Sequence, residues 1–123
     1  MARQVAEGGH SVVYVTAAKL FADCEAVKFE RAEAESLRDY RDCDLLIVDD
    51  LGTEMTTEFV RAALYETVNG RLLGQKSTLI STNLNERDLE ARYGGQIASR
   101  LLGSFRVIYF LGDDIRRLKN TGR

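Results

Sequence analysis

Residues 45–48 read Leu-Leu-Ile-Val with no polar residue among them, and the run stops on two adjacent carboxylates, Asp49 and Asp50. An apolar run without alternation marks a strand covered on both faces, as strands of a parallel sheet between helices are. Counting this one as 44–49, four segments have strand length and β-branched character, the others being 11–16, 77–82 and 106–111. Helical patterns lie between them. In residues 57–73, Val60, Leu64, Val68 and Leu72 recur at every fourth position, Thr56 or Thr57 suits the N-cap, and Gly74 suits a left-handed stop. Asn85 caps a second helix running to Tyr93, Gly94 and Gly95 end it, and residues 96–102 add a further turn. Residues 28–42 alternate charges of both signs around Phe29, Leu37 and Tyr40, the pattern of a solvated amphipathic helix. Residues 2–7 read as the last turns of a helix that Gly8 and Gly9 stop. Strand–helix alternation of this kind specifies an α/β fold around a parallel sheet.

The length of 123 residues suits one domain, and 17 Lys+Arg against 19 Asp+Glu leave a net charge of −2. That balance excludes a domain-wide basic field for tight sequence-independent nucleic-acid binding, while a local basic patch stays compatible with it. No apolar run approaches the ~18–20 residues of a membrane span, and no secretory signal opens the chain, so a cytoplasmic protein with no membrane partner is expected. Cys24 and Cys43 have neither Cys-x-x-Cys spacing nor several histidines beside them, which reads as two reduced thiols.

In open parallel sheets, ligands bind beyond the carboxyl ends of the strands. Asp49-Asp50 leave the second strand there, Thr82-Asn83 the third, and Gly112-Asp113-Asp114 the fourth. Two adjacent carboxylates suit a Walker B site, one acid holding Mg²⁺ through water and the next polarising an attacking water, because side chains alternate in direction as the strand ends. Acids also finish strands simply because they meet solvent. The Asn83 amide can bond a water or phosphate oxygen without adding negative charge, or merely cap the following turn.

Four segments in order, residues 45–54 (LLIVDDLGTE), 81–84 (STNL), 99–103 (SRLLG) and 112–116 (GDDIR), resemble the AAA+ ATPase domain of bacterial replicative-helicase loaders of the DnaC/DnaI type, which is related to the helper ATPases of one transposon family. The resemblance covers essentially the whole chain. It implies a P-loop NTPase of three αβα layers, with ATP and Mg²⁺ as cofactors. It further implies Asp49 as the Mg²⁺ acid, Asp50 as the water-polarising acid and Asn83 as sensor 1. Arg100 falls at the arginine finger that reaches a neighbouring subunit's nucleotide, and Arg116 at the sensor 2 arginine facing the γ-phosphate. The implied partners are a replicative DNA helicase, single-stranded DNA and further copies of the chain joined through the finger. Glu54 matches the family pattern without an assigned role beyond favouring the positive start of the next helix. The acidic pair, the amide and the two guanidinium groups are expected to converge on one rim of the sheet.

A Gly-rich phosphate loop ending in Gly-Lys-Ser or Gly-Lys-Thr, whose backbone N–H groups and lysine hold phosphates, does not occur in the sequence. Residues 1–123 therefore read as a partial AAA+ domain, from the end of the helix after the P-loop to sensor 2, lacking the P-loop strand. That strand would lie between 77–82 and 106–111, so its loss leaves two strand edges open. The expected function is ATP-dependent loading of the replicative helicase, with this polypeptide alone binding and hydrolysing ATP weakly or not at all. The alternatives are a transposition helper ATPase and a non-catalytic module that docks on a helicase or loader. A phosphoacceptor receiver domain, also ~120 residues long, fails because its acidic pair stands near the N-terminus and an acceptor Asp ends a later strand. Arg116, Arg117, Lys119 and Arg123 form a basic tail, and no aromatic cluster for base stacking is visible.

Overall fold

A computed structural model describes residues 2–5 and 9–105, with side chains for residues 9–105. The expected strand at 106–111, the basic tail and Arg116 lie outside the described residues. The elements are β1 (Ala2–Val5), β2 (Ser11–Thr16), α1 (Ala17–Lys28), a 3-10 turn (Ala34–Leu37), α2 (Arg38–Asp42), β3 (Leu45–Leu51), α3 (Glu58–Leu73), β4 (Ser77–Thr82), α4 (Glu86–Tyr93) and α5 (Gly95–Ser104). The sheet order is β1-β2-β3-β4, with β2, β3 and β4 parallel and β1 antiparallel to β2.

Residues 2–5 form a strand where the sequence predicts the end of a helix, pairing Ala2 with Tyr14 through Val5 with Ser11. A helical stub this short holds too few hydrogen bonds to offset its nucleation, whereas the open edge of β2 offers a full row of backbone partners.

Register fixes two faces. Val13 and Val15 of β2, Leu46 and Val48 of β3, and Thr78 and Ile80 of β4 align across the sheet. Helices α1 and α3 cover this face with Leu20, Phe21, Leu64 and Val68, and α5 packs against α3. On the opposite face Leu45 and Ile47 are half-buried, and Tyr14 and Leu79 are exposed, so among the described residues β3 is covered on one face rather than two. The described helices thus supply one of the two helical layers implied by the resemblance.

The expected helix over 57–73 is α3, with the Thr57 hydroxyl accepting from the Val60 N–H at 3.2 Å. Its stop differs from expectation. Gly74 stays at φ −84°, and Gln75 takes the left-handed position at φ 56°. The bond from Lys76 N–H to the Arg71 carbonyl at 2.8 Å then closes the helix, as a Schellman turn does. Asn85 caps α4 by accepting from the Asp88 N–H at 2.8 Å, and Gly94 at φ 97° separates α4 from α5.

The amphipathic helix expected over 28–42 is replaced by α1, which ends at Lys28, and two short pieces after it. The Thr16 hydroxyl caps α1 by accepting from Lys19 N–H at 3.2 Å, and Ala17, Leu20 and Phe21 bury the helix directly after β2. Small alanines on that face hid the periodicity. Cys24 and Cys43 are both free thiols. Burial, then Asp23 and Glu66, push Cys24 up to about 11. Its thiolate fraction at pH 8 falls roughly a hundredfold below that of an unburied thiol, and alkylation by iodoacetamide is expected to slow by about that factor until urea exposes the residue.

The buried cation Arg71, 2% exposed, locks the amino-terminal end of the sheet. Its guanidinium donates to the Thr78 hydroxyl at 2.8 Å, to the Tyr40 and Arg41 carbonyls at 2.9 and 3.2 Å, and to the Ser77 carbonyl at 2.6 Å. Tyr40 and Arg41 lie in the last turn of α2, so the cation meets the negative end of a helix whose last carbonyls lack internal partners. Burial lowers the Arg71 pKa, and the nearby Cys43, Asp44 and Asp42 partly oppose it.

Candidate nucleotide and nucleic-acid sites

The acidic pair sits at a bulge. Val48 pairs with Ile80 and Leu51 with Thr82, so β3 fits one extra residue beside β4 at this point. A bulge bends the strand and re-aims its side chains, and Asp50 accommodates it at φ 60°. The two residues thus differ in backbone setting at the bulge. Asp50 is exposed, its N–H donates to the Ser81 hydroxyl at 3.1 Å, and its carbonyl accepts from the Thr53 hydroxyl at 2.9 Å.

Asp49 is half-buried and held from both sides. The Ser81 hydroxyl donates to one carboxylate oxygen and the Tyr14 hydroxyl to the other. The Ser81 bond first, and the Tyr14 bond second, hold Asp49 below the usual carboxylate range. The Tyr14 phenol is raised, chiefly by that same bond, and stays a donor. By linkage, a depressed carboxylate contributes stability above its unfolded pKa and loses it as pH falls through the lowered value. Ser81→Ala should therefore raise the pH at which Asp49 protonates, read from its side-chain carbon shift in an NMR titration.

Tyr14 does not stand out in the sequence, and Ser81 appears there only as the first residue of the segment 81–84. Pairing of Thr16 with Asp49 puts Tyr14 on the same face two residues earlier, and Ser81 is the residue facing the bulge. Only the register shows this.

One oriented carboxylate flanked by hydroxyls suits Mg²⁺ held through water, since each oxygen keeps a lone pair and Mg²⁺ sheds its waters reluctantly. A direct cage is not formed: among the described residues no group of three His, Cys, Asp or Glu could hold a metal. Asn83 is exposed immediately after β4, where the Thr82 hydroxyl donates to the Leu51 carbonyl and accepts from the Leu84 N–H at 3.1 Å. Asp49, Asp50 and Asn83 thus share the carboxyl rim. Arg100 does not join them. It lies on α5 with its guanidinium 6.0 Å from the Tyr65 ring centre, and Tyr65 stands about 10 Å along α3 from the rim end of that helix.

The fold also assembles an aromatic and cationic patch that the sequence does not display. Lys28 lies 5.0 Å from the Phe59 ring centre and 5.9 Å from that of Phe29, and Arg31 lies 5.4 Å from Phe29. Phe29 is 56% exposed, so its ring presents open surface between the two cations. Phe29 closes α1 and Phe59 opens α3, 30 residues apart in the chain, which is why no cluster is visible in one dimension.

Glu54 is buried in the loop between β3 and α3, away from solvent at the start of the helix. Its carboxylate accepts from the Gly52 N–H at 2.9 Å and from the Tyr93 hydroxyl. The sequence pattern marks Glu54 but not these partners, because Tyr93 lies on α4.

No helix among the described residues is long and apolar enough to cross a membrane. A model of the IstB-like ATP binding protein family matches residues 1–119. Among curated proteins, the uncharacterized protein YdaV of Escherichia coli (strain K12) is 28% identical over 94 residues, 76% of this chain and 38% of that protein. The replicative helicase loader DnaC of Buchnera aphidicola subsp. Baizongia pistaciae (strain Bp) is 26% identical over 113 residues, 89% of this chain and 46% of that protein. The chain thus spans less than half the length of these relatives. A crystal structure of the DnaC helicase loader superposes with a TM-score of 0.69 at 22% identity, over 79% of this chain and 59% of that one. AMPPCP-bound DnaA from Aquifex aeolicus gives a TM-score of 0.65 at 21% identity, over 77% and 30%. The fold is accordingly the α/β fold of AAA+ P-loop NTPases, and with a family match running over nearly its whole length the chain belongs to the IstB-like ATP binding proteins.

Proposed function

We propose that this chain is the core of a helicase-loader ATPase domain, with Asp49 holding Mg²⁺ through water and Asp50 polarising an attacking water. Asn83 acts beside them as sensor 1. The observation that carries the reading is the bulge in β3, which sets an oriented carboxylate and an exposed one side by side next to the exit of β4. Bound Mg²⁺ supplies positive charge against a nucleotide's phosphates. Arg100, held away from its own rim, acts in a neighbouring copy as the arginine finger, and Arg116 serves as sensor 2. The partners are a replicative DNA helicase, further copies of the chain and single-stranded DNA.

The patch of Phe29, Phe59, Lys28 and Arg31 supports the nucleic-acid partner. Aromatic faces stack on any base and neighbouring cations meet phosphates, without sequence preference. Phe29→Ala is expected to weaken binding to a labelled oligo-dT about 5- to 100-fold, read by fluorescence anisotropy at fixed salt. Unchanged affinity would remove the patch from the reading.

The 123 residues contain no Gly-Lys-Ser/Thr loop, which favours a second reading of this polypeptide as a non-catalytic docking module. Isothermal titration with Mg·ATP, paired with capture of a purified replicative helicase, separates the two. Micromolar Mg·ATP affinity would contradict the expectation that this polypeptide alone binds nucleotide weakly. Failure to retain the helicase while retaining a transposase would move the chain to the transposition helpers.

A further inference from the structure

Glu54 is a buried ionisable group that the proposed chemistry does not use. Besides the two bonds to its carboxylate, its backbone carbonyl accepts from the Arg92 guanidinium, and the Arg92 carbonyl accepts from Arg61 of α3 at 3.4 Å. Arg92 and Tyr93 are the last two residues of α4, and α5 begins at Gly95, after the single left-handed residue Gly94. Three elements meet here: the exit of the acidic strand, the start of α3 and the junction leading into the helix that carries Arg100. The joint also holds two buried polar atoms with no hydrogen-bond partner among the described residues, Thr56 Oγ1 and Arg92 Nε. Unsatisfied atoms of this kind lower the cost of opening a segment and call for an explanation beyond packing.

We propose that Glu54 is a positioning residue that ties the β3–α3 loop to the α4–α5 junction, so that the exit of the acidic strand and helix α5 respond together. A carboxylate serves better than an apolar side chain because it fixes direction, one oxygen on Gly52 in its own loop and the other on Tyr93 across the joint. Through Gly94 the link continues into α5, whose Ile97, Ala98 and Leu101 are buried and move the helix as a unit. The consequence for Arg100 rests on the finger reading above: a change at one rim would shift the group offered to the neighbouring copy. The mechanical link itself is independent of that reading.

The test is hydrogen–deuterium exchange on this chain and its Tyr93→Phe variant, which keeps the buried ring and deletes only the hydroxyl that reaches Glu54. Exchange is expected to rise about tenfold or more in both residues 51–57 and residues 95–104, while α1 keeps its wild-type rates. A rise confined to 51–57 would overturn the proposal, and so would a uniform rise that includes α1, which reports lost global stability. A second measurement adds Mg²⁺. Slower exchange in residues 95–104 of the wild type, lost in Tyr93→Phe and in Asp49→Asn, supports the link together with the metal reading. If Mg²⁺ changes nothing while Tyr93→Phe still loosens both segments, the link stands and the assignment of Asp49 fails.

Discussion

Replacing Arg71 with alanine is expected to destabilise the fold by about 3–5 kcal/mol, a large fraction of what a domain this size possesses. The substitution strands four oxygen acceptors, the Tyr40, Arg41 and Ser77 carbonyls and the Thr78 hydroxyl, that the buried guanidinium now satisfies. Bonds from a charged donor contribute about 1.5–3 kcal/mol each, and the cost of burying the cation offsets part of their sum. Arg71→Lys keeps the charge but cannot fork to both α2 and β4, so roughly half the loss should remain. Urea unfolding followed by circular dichroism measures both. A loss below about 1 kcal/mol for the alanine variant would show that water satisfies these carbonyls as well as arginine does.

Gly52→Val should cost about 2–5 kcal/mol, and Gly52→Ala somewhat less. Gly52 sits at φ 108°, and a Cβ built there would lie 2.8 Å from Leu84 Cδ1. Backbone strain for a side chain in this region contributes about 1–3 kcal/mol, and overpacking against Leu84 a similar amount. Leu84 is the end of a flexible side chain and can give way, so alanine should fold while valine, branched at Cβ, loses more. Equilibrium unfolding of the two variants gives the comparison. Equal stability of wild type and Gly52→Val would mean that the loop after Asp50 adopts another path.

The legible part of this fold was the part written in local pattern. Uninterrupted apolar residues at 45–48, fourfold spacing from Val60 to Leu72 and the caps at Thr57 and Asn85 all act within a few residues of one another, and the strands and helices follow them. Where the pattern is faint or the partner distant, the sequence points elsewhere. Alanines hid α1. The pairing of residues 2–5 with β2 depends on a strand beyond Gly8-Gly9, which no helical stop signal there reveals. Gln75 rather than Gly74 takes the left-handed turn because the hydrogen bond from Lys76 back to Arg71 decides which residue must turn.

The candidate site divides in the same way. Asp49, Asp50 and Asn83 could be named in one dimension because each ends an apolar strand, and strand ends in a parallel sheet share a rim by construction. That Asp49 is gripped by Tyr14 and Ser81, that a bulge holds Asp50 at a positive φ, and that Arg100 stays beside Tyr65 depend on register and helix packing. The same holds for the two rings and two cations of Phe29, Phe59, Lys28 and Arg31, and for the reach of Glu54 to Tyr93. By itself the sequence determined which segments become strands and helices and which chemistry arrives at their ends, because short-range sterics and hydrophobic spacing set those. Only the tertiary structure decided which side chains meet, because hydrogen bonds and ring contacts act over a few ångströms and the residues that make them are brought together by the sheet, not by the chain.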